Sequence, residues 1–343
     1  MQIEECGRVL VTGAGGFIGG RLVDALVRAG VAVSPMFRMP VSADGACQAD
    51  LLDPASLARA CVGIDTVVHC AGYAHAHDVD EGTTRQRHHQ VNFVGTRNLL
   101  DAAARAGVAR FIYLSSVKAM GAPGLRCVDE QWPAPPDTPY GLSKREAEEA
   151  VLAAGRCSGM RVCNLRLAMV YGRGSRGNLE RMARGIAKGW FPPLPETGHR
   201  RSLIHIEDVV SAVRCVMVDA RADGVTYIVA DAQAWSGAEI YDALRAASGR
   251  ARATWRVPAP VLAAAGRMGD LLGWLMRRKL PLDSHTVARL IGAECYSPAS
   301  IYRDLGWQAR VTLAQGAREL FGRAEAGAAA PAVTGHTCGG GGR

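Results

Sequence analysis

The sequence predicts an α/β fold: a doubly wound parallel sheet with a smaller, partly interleaved C-terminal lobe. Three observations predict it. Over residues 8–172 short apolar runs alternate with stretches of helical period, and such alternation builds a parallel sheet through right-handed crossovers. The first apolar run passes straight into a glycine-rich turn at 13–19. After Gly172 the alternation gives way to loops and then mainly to helices.

Each element has a local reason. "RVLVTG" (8–13) is a short apolar strand, and residues 17–29 carry a helical period that Gly30 ends. "VAVSPMF" (31–37) is a second strand. "DPASLARACV" (53–62) opens on Asp and Pro, as helices do. "DTVVHCAG" (65–72) is a strand, "NFVGTRNLLDAAARAG" (92–107) a helix closed by Gly107, and "RFIYLSS" (110–116) a strand. A proline-rich loop (123–139) leads to a helix over about 139–155 and the strand "RVCNLRLAMVYG" (161–172). Beyond it, "SLIHIEDVVSAVRCVM" and "GVTYIVAD" return to the sheet, and 236–320 reads mainly as helices.

This gives a first domain over 1–172 with return segments at about 203–231, and a substrate lobe from 173–202 and 232–323. The low-complexity tail 324–343, "AEAGAAAPAVTGHTCGGGGR", reads as disordered. No internal repeat is present.

The composition bounds the function. With 48% hydrophobic and 21% charged residues, the 343-residue chain reads as a soluble globular protein. The net charge of +8 suits an anionic partner or a solvated Arg-rich face. No basic arm carries interleaved aromatics, so nucleic acid is not an expected partner. The N-terminus has acids where a secretory signal needs bases, which points to a cytoplasmic protein. The ten cysteines show no C-x-x-C spacing and read as reduced, mostly buried thiols, with no metal site expected. The stretch 257–276, "VPAPVLAAAGRMGDLLGWLM", is broken by Arg267 and Asp270 and followed by "RRK". It is either an amphipathic helix capping the lobe or a membrane-surface helix giving peripheral contact through 257–280.

Gly13, Gly16 and Gly19 stand at G-x-x-G-x-x-G spacing where the first strand meets the first helix. Glycines there let the backbone approach a pyrophosphate, and the helix N-terminus offers free N–H groups. The turn reads as the dinucleotide loop of a Rossmann fold, with Phe17, Ile18 and, in "HCAG", Ala71 as further cofactor-binding candidates. An acid at the end of the second strand normally takes the adenosine ribose. Here the strand ends "SPMFRMP", and Arg38 could pair with a 2′-phosphate, which favours NADP over NAD. Asp50 and Leu51, after the next strand, are candidates for the adenine.

"DTPYGLSKREAE" reads as a helix start, with Thr138 as cap and Pro139 in the first turn. Tyr140 and Lys144 then share one helical face. Only four residues of the chain are Lys, against 36 Arg, so a lysine here asks for a reason. A phenol ionises near about 10, and a neighbouring ammonium lowers that value. The same compact ammonium can hold a ribose hydroxyl. Ser116, 24 residues before Tyr140, ends a strand at the carboxyl edge of the sheet, where ligands bind. Ser116, Tyr140 and Lys144 are therefore the candidate catalytic set.

"VTGAGGFIG", "HCAG", "VNFVGTRNLL", "YLSSVKAMG", "PYGLSK", "VYG" and "RRSLIHIEDVV" occur in the order found in extended short-chain dehydrogenase/reductases. Within these the chain resembles the NAD-dependent epimerase/dehydratase group acting on nucleotide sugars, over about residues 7–322. The resemblance implies the Ser116, Tyr140, Lys144 set, Asn92 as a structural residue, and a nucleotide-sugar site in the C-terminal lobe. It implies that Asn178 and Arg201 hold the sugar nucleotide, Arg201 near the diphosphate. It also implies a homodimer through the helices at about 92–107 and 139–155.

Dehydratases of the group carry Asp-Glu after the hydroxyl residue, where this chain has Val117 and Lys118, so dehydration is not expected. "SSVKAMG" and "RGNLERM" look closer to epimerase-like enzymes of bacterial polysaccharide synthesis. A 4-ketoreductase using NADPH is the first reading, and a UDP-hexose or UDP-HexNAc 4-epimerase the second. A non-catalytic NADP(H)-binding sensor would not need Ser116, Tyr140 and Lys144 together, and a steroid- or flavonoid-type reductase would not need Arg201. His69, His75, His77, His88 and His89 read as a polar loop near the cofactor rather than a metal site. His205 reads as structural and Cys70 as a packed thiol.

Overall fold

The computed structural model describes residues 6–42, 44–74, 81–175, 177–276 and 283–322. The tail 324–343, His75, His77 and the end of the 257–280 stretch lie outside the described residues.

Along the chain, β1 (Val9–Thr12), α1 (Phe17–Arg28), β2 (Val33–Phe37), β3 (Cys47–Gln48), α2 (Pro54–Ala60) and β4 (Thr66–His69) come first. Then follow α3 (Glu81–His88), a π-helical turn (His89–Val94), α4 (Gly95–Arg105), β5 (Arg110–Ser116), β6 (Cys127–Val128), α5 (Pro139–Ser158) and β7 (Arg161–Leu167). Next are β8 (Met169–Tyr171), α6 (Asn178–Ala187), β9 (Leu203–His205), α7 (Ile206–Val218) and β10 (Val225–Val229). Last come α8 (Gly237–Ala247), α9 (Ala259–Leu275), α10 (Ser284–Ile291), β11 (Cys295–Tyr296), α11 (Ala299–Leu305) and α12 (Leu313–Phe321).

Seven strands form one sheet in the order β10-β7-β5-β4-β1-β2-β3, and every pairing in it is parallel. The order reverses beside β1, which is where such sheets open a ligand crevice. Successive residues point to opposite faces. Val9, Val11, Val68, Ile112 and Leu114 pack with Leu22 and Leu26 of α1 and Val209 and Val213 of α7. Leu10, Val67, Phe111 and Tyr113 pack on the other side with Leu57, Leu99, Ala103 and Val151 of α2, α4 and α5. Burial on both faces is why these strands read as continuous apolar runs.

Three local outcomes differ from the sequence reading. The helix expected from 92 continues from α3 through the π-helical turn at His89–Val94. The strand expected over 161–172 breaks at Ala168, and β8 leaves the main sheet to pair with β9. The cysteines are not all reduced thiols: Cys127 and Cys295 form a disulfide across a sequence separation of 168. β6 and β11 pair in parallel with those two residues in register, so the contact is made by the fold and leaves no spacing signal.

A third apolar cluster, with Leu179, Met182, Ile186, Ile240, Leu244, Leu262 and Val287, holds α6, α8, α9 and α10 together.

Candidate active site

The glycine turn is closely packed. Gly13 has φ +68°, and a Cβ on it would stand 2.8 Å from the Ala71 nitrogen. A Cβ on Gly19 would overlap the Gly13 carbonyl oxygen. Gly16 caps α1 with no side-chain bond and no acid in the first turn, so the helix presents open N–H groups to an anion. This cradle, which any side chain would fill, fits a dinucleotide pyrophosphate. Phe17 and Ile18 sit partly exposed in the first turn of α1, and the Ala71 nitrogen donates to Thr12 Oγ1 at 3.1 Å.

At the end of β2, Arg38 is exposed, with no acid beside it in sequence. Asp50 Oδ1 accepts from the Leu52 nitrogen at 2.8 Å. Leu51 is buried, and its carbonyl takes Asn98 Nδ2 at 2.9 Å. Asp50 is thus engaged in shaping its own turn.

Ser116 closes β5, and Tyr140 stands in the first turn of α5. Thr138 caps that helix by accepting from the Gly141 nitrogen at 3.1 Å. A Cβ on Gly141 would overlap the Lys118 carbonyl, so α5 presses against the loop after Ser116. That close approach brings Tyr140 beside Ser116. Burial pushes the Tyr140 phenol above its usual value, and Ser116 only partly offsets this. Tyr140 is therefore a protonated phenol at neutral pH, a proton donor in waiting.

Lys144 is buried. Its Nζ donates to the Leu114 carbonyl at 2.9 Å and lies 4.6 Å from the centre of the Tyr113 ring. The ammonium is thus held by the β5 backbone. Burial lowers its pKa to about 8, against opposing help from Glu148 and Cys70.

Below this set lies a buried layer that sequence reasoning missed. Arg166 Nη2 bonds Glu148 Oε2 at 2.8 Å, and Ser115 donates to Glu148 Oε1 at 2.6 Å. All three are buried. Glu148 lies four residues after Lys144, on the same face of α5. The i+4 acid after the lysine was the available signal.

A second network ties the glycine turn to the π-helical turn. Thr96 donates to the Asn92 carbonyl at 2.5 Å and so must accept from His69 Nε2, 3.0 Å away. His69 Nδ1 then accepts from Thr12, at 2.7 Å. Burial lowers the His69 pKa to about 3, so its ring stays neutral. Asn92 takes the Tyr73 nitrogen at 2.7 Å and donates to Ser143 at 3.0 Å. The ring of His88 packs edge-on to Tyr140 with centroids 5.5 Å apart. Among the described residues no three His, Cys, Asp or Glu side chains gather as metal ligands. His205 caps α7, its Nδ1 accepting from the Glu207 nitrogen at 3.4 Å. The Cys70 thiol is pushed up to about 12 by burial.

The lobe meets the cleft through one strip. Arg201 bridges Trp235 on one side and Glu294 on the other, and its Nη2 donates to the Gly292 carbonyl at 3.2 Å. Lys118, two residues past Ser116, pairs with Glu294 at 2.5 Å. The structure thus joins the Ser116 loop to the Arg201 strip. Asn178 stands exposed at the start of α6, with no hydrogen bond among the described residues to Ser116, Tyr140 or Lys144.

The comparisons with known proteins follow this geometry. Residues 9–230 match the model of the NAD dependent epimerase/dehydratase family. The chain is similar to a UDP-glucose 4-epimerase of Vibrio cholerae, 31% identical with 91% of this chain and 93% of that protein covered. It is equally similar to a 3 beta-hydroxysteroid dehydrogenase/Delta 5-->4-isomerase of Mycobacterium tuberculosis, 31% identical over 92% of this chain and 90% of the other. Among solved structures, RMD from Pseudomonas aeruginosa complexed with NADPH superposes with a TM-score of 0.69 at 25% identity, covering 93% of this chain and 99% of that one. The chain belongs to the NAD dependent epimerase/dehydratase family.

Proposed function

We propose that this protein is a nicotinamide-dependent enzyme acting at C4 of a nucleotide-diphosphate sugar, as a 4-ketoreductase of bacterial surface-polysaccharide synthesis. The observation that carries the reading is the buried, protonated Tyr140 phenol set beside Ser116 at the carboxyl edge of the sheet. A bound nicotinamide supplies the reducing equivalent at the sugar carbon. Tyr140 gives its proton to the sugar oxygen, and Ser116 hydrogen-bonds the same oxygen and orients it. Lys144, held at the β5 edge, carries the positive charge that stabilises the phenolate left behind. Gly13, Gly16 and Gly19 would hold the pyrophosphate, with Phe17, Ile18, Asp50, Leu51 and Ala71 around it. Arg38 would face a ribose 2′-phosphate, which favours NADP over NAD.

Arg201 supports a diphosphate-bearing substrate, with Asn178 as a further contact from α6. Equal identity to a sugar epimerase and a steroid dehydrogenase leaves the substrate to the site itself. The second reading is a UDP-hexose 4-epimerase with no net redox, favoured by the Vibrio cholerae relative. We also read the unit as a homodimer pairing α4 and α5 of two copies, which sedimentation would test.

The experiment is to mix the protein with a UDP-linked 4-keto-6-deoxy-hexosamine and follow the absorbance of added NADPH, with NADH in parallel. Stoichiometric loss of NADPH, reduced in Arg38→Ala, supports the ketoreductase. No loss of either cofactor, together with interconversion of a UDP-hexose pair by the protein alone, makes it an epimerase.

A further inference from the structure

α9 has two unlike faces. Leu262, Gly266 and Gly269 are buried, and a Cβ on Gly266 would lie 3.0 Å from both Ser284 and Val287, so α10 packs tightly there. Apart from the exposed Arg267 and Asp270, the open side of the helix is apolar. Met268, Leu271, Trp274 and Leu275 expose 55%, 57%, 76% and 70% of their surface, and Trp255, just ahead of the helix, exposes 61%. A contiguous apolar surface of this kind marks an interaction site.

Charge selects the partner. Residues 250–276 hold four basic side chains, Arg250, Arg252, Arg256 and Arg267, and one acid, Asp270. Arg252 and Arg256 flank the helix, both bonded to Asp242, at 3.1 and 2.7 Å. Arg267 stands exposed on α9 itself. Exposed Trp and Leu rimmed by bases suit the headgroup layer of an anionic bilayer. A second copy would set two such basic stretches against each other, and like charges oppose that pairing. No helix among the described residues is long and apolar enough to cross a membrane, so the contact is with a surface.

We propose that α9 and its basic flanks form a docking site for an anionic phospholipid surface. The apolar end of the helix enters the headgroup layer, and the bases meet lipid phosphates. The docked lobe also carries Arg201, whose bond to the Gly292 carbonyl lies at the foot of α10. The inference stands whatever the sugar proves to be.

The test is flotation of the full chain with vesicles of phosphatidylglycerol and phosphatidylethanolamine, beside vesicles of phosphatidylcholine. The protein should float with the anionic vesicles, less so as salt is raised. Leu271→Ser with Leu275→Ser should cut the bound fraction roughly tenfold, and Arg267→Glu roughly threefold. Leu271, Leu275 and Arg267 are exposed, so both variants should keep the wild-type unfolding midpoint. Vesicles should also shift tryptophan emission to the blue, and Trp274→Phe should remove most of that shift. Absence of flotation overturns the proposal, as does binding indifferent to lipid charge and salt. Self-association abolished by the same leucine substitutions would assign the face to a second copy instead.

Discussion

Lys118 and Glu294 close a 2.5 Å ion pair between the loop that follows Ser116 and the strand beside Arg201. The two side chains are partly exposed, so the pair contributes little to stability, about 1 kcal/mol or less. Its consequence is positional. Lys118→Ala should raise KM for the sugar nucleotide by about fivefold, the equivalent of about 1 kcal/mol, and leave kcat nearly unchanged. Steady-state kinetics of the single variant separates the two constants.

Glu148 and Arg166 set stability rather than binding. Both are buried, and Glu148 also accepts from Ser115. Removing one partner strands the other charge, which costs about 3–5 kcal/mol. Glu148→Ala should lower the urea midpoint accordingly, and Glu148→Leu combined with Arg166→Met should recover most of the loss.

Lys144 gives the pH dependence. Its pKa falls from the free value of 10.5 to about 8 on burial. Activity should decline as pH rises through about 8, when the ammonium loses its proton, and Lys144→Arg should move that limb upward. The stability sign is the opposite. Between about 8 and 10.5 the unfolded chain binds more protons at this residue, so the cost of burying Lys144 is relieved as pH rises through that window. A pH–rate profile and a pH series of unfolding curves check the two signs.

Gly19 tests the dinucleotide cradle. Its Cβ would overlap the Gly13 carbonyl, so Gly19→Ala should weaken NADPH binding at least tenfold, about 1.4 kcal/mol. Gly177→Ala, where a Cβ meets nothing within 4 Å, should leave it unchanged. Fluorescence titration with NADPH reads both.

The sequence carried what is local. β5 falls on the predicted 110–116, Thr138 caps the predicted helix start, and the strand–glycine–helix turn is where spacing placed it. Those features depend on neighbours within a few residues. What sequence reading missed is held by distant partners. Cys127 meets Cys295 only because β6 and β11 pair. Arg166 reaches Glu148 from a strand to a helix, and Lys118 reaches Glu294 across 176 positions. Helical spacing put Tyr140 and Lys144 on one face, and a backbone carbonyl from a strand, Leu114, holds the ammonium.

The most direct measurement is single-turnover oxidation of NADPH on a UDP-linked 4-keto sugar by wild type and Tyr140→Phe. The account predicts that removing this hydroxyl slows the chemical step by roughly 10²–10⁴ while NADPH still binds with wild-type affinity. A Tyr140→Phe protein that turns over at the wild-type rate would contradict it.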